Sequence, residues 1–205
     1  MIAIIDYGVG NLFSLRSSLA AIGAETVVTG DLAVIRTAEK LILPGVGAFG
    51  DAAALLRQNN LDKLLHQEAA EGKPLLGICL GMQLLFDYGL EYGRHEGLGL
   101  VPGSVRPIAD YIPKGLKIPH IGWNALRFPA GKPVSPLFKY VKEGECVYFV
   151  HSFCGAECEE SVIASAEYGA MLTAAVGRGR IYGVQFHPEK SGDTGLRILQ
   201  AFCEL

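Results

Sequence analysis

Three times within its first 86 residues the chain runs a short apolar stretch into a glycine-containing turn and then into a helically spaced segment. That repetition leaves few folds open. Ile2 to Ile5 ends at Asp6 and the Gly8-Val9-Gly10 turn, after which Leu12, Leu15, Leu19 and Ile22 share one helical face. Lys40 to Leu43 runs into PGVGAFG and a helix from about Asp51, and Pro74 to Cys79 runs into a helix over Leu80 to Phe86. Apolar strands alternating with helices predict a largely parallel central sheet flanked by helices on both faces.

Beyond about residue 98 the pattern changes to short strand-like pieces, SVRPI, IPHIGWNALRF, CVYFVHSF and VIASAEY, separated by Gly and Pro. This half reads as β-rich. LTAAV and RIYGVQF flank Gly177-Arg178-Gly179, which suits a hairpin turn, and Thr194 to Leu205 reads as a closing helix. With no linker or repeat, residues 1–205 are expected to form a single α/β domain. Half of the residues are hydrophobic and 19% are charged, which is ample for a core buried on both faces of a sheet.

A net charge of -3 with scattered basic residues argues against nucleic acid as a partner. No apolar run is long enough to cross a bilayer and MIAIIDYGVGN lacks the marks of a signal peptide, so a cytoplasmic location is expected. Five cysteines (Cys79, Cys146, Cys154, Cys158, Cys203) make an odd count, unlike a disulfide framework. Cys154 and Cys158 have no second Cys/His pair at zinc-like spacing, so neither metal nor cofactor is expected.

Gly77-Ile78-Cys79-Leu80-Gly81 follows an apolar strand and opens a helix, the setting of a nucleophile elbow. The flanking glycines permit a strained turn that lifts Cys79 clear of the sheet, and the Leu80 N–H is placed to face an oxyanion. A buried cysteine packed in a tight turn is the competing reading. Gln185-Phe186-His187-Pro188-Glu189 ends a later strand, where α/β sheets place their chemistry. An extended backbone would put His187 and Glu189 on one side, the carboxylate orienting the imidazole; a solvated surface turn is the alternative.

Deprotonating an ordinary thiol fully gains at most about thirty-fold, or about 2 kcal/mol, whereas enzymic acceleration typically needs about 8 kcal/mol or more. A second oxyanion donor is therefore expected, and Pro44-Gly45-Val46-Gly47 after the Leu41 to Leu43 strand is the candidate. The same segment matches GxGxxG through Gly45, Gly47 and Gly50. A dinucleotide site would also need an acidic residue ending a second strand about 20 residues on, and LDKLLHQEAAEG reads as helix instead.

Taken in order, IIDYGVGNLFSL, LPGVGAF, LGICLGMQLLF, PHIGWN, YFVHSF and GVQFHPEKSG resemble the class I (triad) glutamine amidotransferases, and among them the glutaminase subunits of imidazole glycerol phosphate synthases. The resemblance spans essentially the whole chain and implies a flavodoxin-like sheet. It implies that Cys79 attacks the glutamine carboxamide, His187 moves the proton, Glu189 orients His187 and Gln83 holds the substrate. It further implies that the Val46 N–H turns inward within the PGVG strand, bringing Gly47 into the glutamine site. The implied partner is a (β/α)8-barrel cyclase subunit that receives ammonia, and Asn11, His120, Trp123, Asn124 and Lys190 are expected on or near that interface. For His120 and His151 simple burial, and for Trp123 core packing, remain equally open. The rivals are an amidotransferase serving another acceptor, a nucleotide-dependent oxidoreductase and a catalytically silent binding subunit.

Overall fold

Strand β1 (Ile2–Ile5) is buried throughout. Its alternate residues serve two cores: Ile2 and Ile4 join Leu15, Leu19, Ile198 and Phe202 on one face, while Ala3 and Ile5 join Phe49, Leu56 and Leu65 on the other. A strand apolar on both sides needs helices on both sides, and the chain supplies them. The computed structural model describes residues 1–205. After β1 come α1 (Leu12–Ala21), β2 (Thr26–Thr29), α2 (Leu32–Thr37), β3 (Lys40–Gly45), α3 (Phe49–Gln58), α4 (Leu61–Ala70), β4 (Leu75–Cys79) and α5 (Leu80–Leu84). The second half holds β5 (Tyr88–Gly89), β6 (His95–Glu96), β7 (Ser104–Pro107), β8 (His120–Arg127), β9 (Cys146–His151), β10 (Phe153–Ala156), β11 (Val162–Glu167), β12 (Met171–Arg178), β13 (Ile181–Val184) and α6 (Gly192–Cys203).

The main sheet has nine strands in the order β2-β1-β3-β4-β13-β12-β11-β8-β9. The first five are parallel, in the flavodoxin-like order expected for a doubly wound sheet. The β-rich half continues the sheet antiparallel through β12, β11, β8 and β9, and a four-stranded sheet, β10-β7-β5-β6, packs beside it. No helix is long and apolar enough to cross a membrane.

Register positions the functional edge. Gly45 pairs with Cys79 and Val184 pairs with Ile78, so PGVG, the elbow and QFHPE all leave the sheet at the carboxyl ends of neighbouring strands. Three local expectations need correction. The β12–β13 turn is Gly179-Arg180, because Gly177 and Arg178 remain paired with Tyr182 and Ile181. Helix α5 stops at Leu84, where Leu85 and Phe86 tighten into bonds to Met82 and Gln83 three residues back. Glu189 lies not on extended backbone but in the 3₁₀ turn Pro188–Lys190, since proline at its first position favours a helical turn.

Candidate active site

Cys79 has φ 55° and ψ -112°, a conformation that costs a non-glycine residue about 1–3 kcal/mol. Its neighbours explain why the turn persists. A Cβ on Gly81 would lie 1.8 Å from the Leu43 carbonyl oxygen, and one on Gly77 would lie 2.6 Å from the Gly81 oxygen, so only glycine allows the helix to start this close to the sheet. Leu80 heads α5, leaving its N–H without an intrahelical acceptor. These features place Cys79 at the edge of a cavity of about 310 Å³, which also touches Val46, Gly47, Gln83, Glu91 and His187.

The 3₁₀ turn brings Glu189 Oε1 within 2.8 Å of His187 Nδ1, both side chains being almost wholly buried. A carboxylate only accepts, so Nδ1 donates and Nε2 is left to face Cys79. Burial is the largest influence on His187 and disfavours its charge, yet the neighbouring Cys79 and Glu189 together outweigh it and push the imidazole up to about 9. The two neighbours thus favour the protonated imidazole against the pull of burial. Its backbone is pinned as well: His187 N–H donates to Tyr148 O, and Ser191 Oγ donates to His187 O at 2.6 Å. Glu189 Oε2 is buried without a partner, an expensive arrangement for a carboxylate with only a structural task.

Gln185, Tyr7 and Glu91 were given no role by the sequence reading. Gln185 is fully buried, reaches Cys79 Sγ at 3.8 Å and accepts from Gln83 Nε2 at 3.0 Å. Its position two residues before His187 on one strand end was the available signal. Gln83 Nε2 also meets Phe153 O at 3.2 Å, so that amide is anchored within the protein and only its oxygen is left for a ligand. Tyr7 donates to Pro44 O at 2.8 Å and ties the first βα turn to PGVG. Glu91 is the only carboxylate lining the cavity and accepts from the Phe49 N–H at 2.7 Å. Nothing in its sequence context set it apart.

The other singled-out residues differ in exposure and in distance from this site. Val46 and Gly47 are exposed at the cavity mouth, Gly47 with φ 102°, and Gly45 is buried against Tyr7 and Leu80. Trp123 is 55% exposed and packs edge-on to Tyr148; Lys190 is exposed beside Glu189; Asn11 is half-buried before α1. His120 is buried, 2% exposed, so its route to the surface runs through half-buried Asn124. The third glycine of GxGxxG, Gly50, is a packing site: a Cβ there would lie 2.8 Å from the His95 ring. A larger cavity, about 640 Å³, is lined by none of Cys79, His187 and Glu189 but includes Cys154 and Cys158, whose thiols burial pushes up to about 12 and about 11. Protonated thiols of this kind are poor nucleophiles.

The model of the glutamine amidotransferase class-I family matches residues 3–204, nearly the full length over which this site is assembled. The chain belongs to the class-I glutamine amidotransferases. Among relatives within that family, it is 47% identical over 206 aligned positions to the imidazole glycerol phosphate synthase subunit HisH of Oceanobacillus iheyensis, covering 100% of this chain and 99% of the relative. It is 50% identical to the HisH subunit of Bacillus licheniformis, covering 98% and 95%. A crystal structure of a glutamine amidotransferase superposes with TM-score 0.76 over 100% of both chains at 19% identity, a likeness of fold.

Proposed function

We propose that this amidotransferase is the glutaminase subunit of an imidazole glycerol phosphate synthase, with Cys79, His187 and Glu189 as its catalytic triad. The observation that carries the chemistry is the buried His187–Glu189 pair set beside a strained Cys79, with His187 and Cys79 both lining one cavity of about 310 Å³. The acceptor is inferred from the near full-length identity to HisH subunits.

Cys79 Sγ attacks the carboxamide carbon of glutamine, and the developing oxyanion is met by the Leu80 N–H and, once its peptide turns inward, the Val46 N–H. His187 gives its proton to the departing nitrogen, releasing ammonia and leaving a γ-glutamyl thioester on Cys79. His187 then takes a proton from water as the water attacks the thioester carbon; the carbonyl re-forms as the Cys79 sulfur leaves, the new carboxyl group gives its proton to solvent as glutamate departs, and Cys79 and His187 return to their starting state. Glu189 holds Nδ1 throughout. The Gln83 oxygen and the Glu91 carboxylate are suited to the donors of the substrate, Glu91 to its α-ammonium.

The ammonia passes to a (β/α)8-barrel cyclase partner that makes imidazole glycerol phosphate and aminoimidazole carboxamide ribonucleotide. Docking over Trp123, Lys190 and the cavity mouth would keep ammonia from solvent. Ile118, Ile121 and Trp123, all exposed, lie along β8 and the turn before it, where a partner would bury them. The deciding experiment follows glutamate release by the chain alone, then with the cyclase and its ribonucleotide ligand, with Cys79→Ala as blank. A low rate that rises strongly in the complex and vanishes in the variant is expected. Unchanged hydrolysis with that cyclase would redirect the assignment to another acceptor, and hydrolysis surviving Cys79→Ala would overturn the mechanism.

A further inference from the structure

Two buried histidines outside the triad, His120 and His151, meet ring to ring, with His120 Nδ1 2.9 Å from His151 Nε2. Their outer nitrogens fix how protons are distributed. His151 Nδ1 lies 2.8 Å from the Phe153 carbonyl, which only accepts, so Nδ1 carries a proton. On the other side Asn124 Nδ2 donates to the Glu167 carbonyl at 2.8 Å; this orients the amide so that its Oδ1 faces His120 Nε2 at 2.6 Å. His120 Nε2 must then be protonated too. All the bonds run outward from the contact between the rings, and two neutral imidazoles would confront each other there with bare lone pairs.

We propose that His120 and His151 hold one further proton between them, forming a buried imidazole–imidazolium pair whose occupancy positions Gln83 in the glutamine pocket. The third proton comes from solvent and returns to it; no other bond is made or broken. The connection to Gln83 is continuous: His151 Nδ1 and Gln83 Nε2 both donate to Phe153 O, and Gln83 bonds Gln185, which reaches Cys79. At the other end, Asn124 belongs to the same strand as exposed Trp123. The pair thus lies between a surface strand and the nucleophile.

Two opposing effects set how firmly the proton is held. Burial disfavours charge on both rings, pushing His151 down to about 4 and His120 down as well, and neither ring is bonded to a carboxylate. The reversed bond direction favours the charge, but only for the pair as a unit, so the two rings share one titration step. The groups facing them are His187 beside His151, Tyr168 stacked on His120 at 4.0 Å, and Cys79 and Glu91 across the cavity that His151 lines. A protonated His187 repels the shared proton, which places the pair's step below that of His187.

The inference about Gln83 rests on the glutaminase reading, whereas the proton itself does not. In the full chain with ¹⁵N-labelled histidine, side-chain spectra across pH should show three protonated nitrogens over the two rings, including one strongly downfield shared proton. That proton should be lost in one step common to both rings. His120→Gln should abolish the common step, and Asn124→Asp, which sets a carboxylate beside His120, should move it to higher pH. Two independent histidine titrations, or two rings neutral at every pH down to unfolding, would overturn the shared proton. In the complex with the cyclase, His120→Gln should raise the KM for glutamine by about three- to ten-fold, the value of one hydrogen bond, with kcat held within about two-fold. The wild-type KM should rise through the pair's own step, and that rise should move with Asn124→Asp. Wild-type turnover with a KM indifferent to both variants would sink the role in positioning Gln83, while absence of wild-type turnover would sink the glutaminase reading instead.

Discussion

At the scale of single residues, the proposed triad is a balance between burial, which disfavours charge on His187, and two neighbours, Cys79 and Glu189, that favour it. Replacing Glu189 by Gln removes one of these and should lower kcat by at least about tenfold. Because Glu189 favours the protonated imidazole, its loss should also move the alkaline limb of the pH–rate profile down from about 9. An unmoved limb would mean that Glu189 does not act through His187. The sign for stability is the same: a histidine raised on folding contributes its full share below about pH 6.5 and loses it as pH climbs to about 9. Cys79 offers a second test, since its backbone is strained by its side chain. Cys79→Gly should be inactive yet more stable than Cys79→Ala, by up to about 2 kcal/mol in unfolding free energy, because relief of about 1–3 kcal/mol offsets the extra chain entropy of glycine, about 0.5–1 kcal/mol. Cys79, His187 and Glu189 were legible in the sequence as candidates because each sits in a spaced motif. Gln185, Tyr7 and Glu91 were not, since what they do depends on neighbours far away in the chain: Gln83, Pro44 and Phe49.

At the scale of elements, strand, turn and helix boundaries of the parallel half follow from apolar runs meeting glycine. Helix α4, read in LDKLLHQEAA, excludes the acid-tipped strand that a dinucleotide site would need there. The misplaced features share a cause. The hairpin turn shifts toward Arg180 because ladder pairing holds Gly177 and Arg178 in the strand, and α5 ends early where Gly97 packs onto the Phe86 carbonyl; a Cβ on Gly97 would lie 2.1 Å from that oxygen. Neither contact leaves a trace in local sequence. The elbow glycines are the opposite case, and Gly81→Ala makes the argument testable. Its methyl group would collide with the Leu43 carbonyl, part of a β-strand that cannot yield without breaking its pairing with β4. The expected cost is about 3 kcal/mol or more, seen as a lowered Tm or loss of folded protein. A variant melting like the wild type would mean that helix and strand are not held as closely as described.

At the scale of the whole molecule, one sheet edge presents a buried charge pair, a strained thiol and an exposed apolar strand to the same side. The sequence suggested an interface through PHIGWN but could not separate the surface residues from the buried one: Trp123 lies outside, while His120, three residues earlier, faces Phe149 and Tyr168 within. Strand alternation alone would assign them opposite faces without saying which face is wet. Trp123 should therefore be an anchor for the cyclase and little else. It does not line the cavity beside Cys79 and over half its surface is open, so Trp123→Ala should leave the free energy of unfolding within about 0.5 kcal/mol of wild type. An interface tryptophan removed from a desolvated centre costs about 2 kcal/mol or more, so Kd for the cyclase, read by titration calorimetry, should rise about thirty-fold. At saturating cyclase the kcat should recover, because the triad and its cavity are intact. An unchanged Kd would move the docking surface off β8, and a kcat that stays low at saturation would show that Trp123 acts on catalysis itself as well as on assembly.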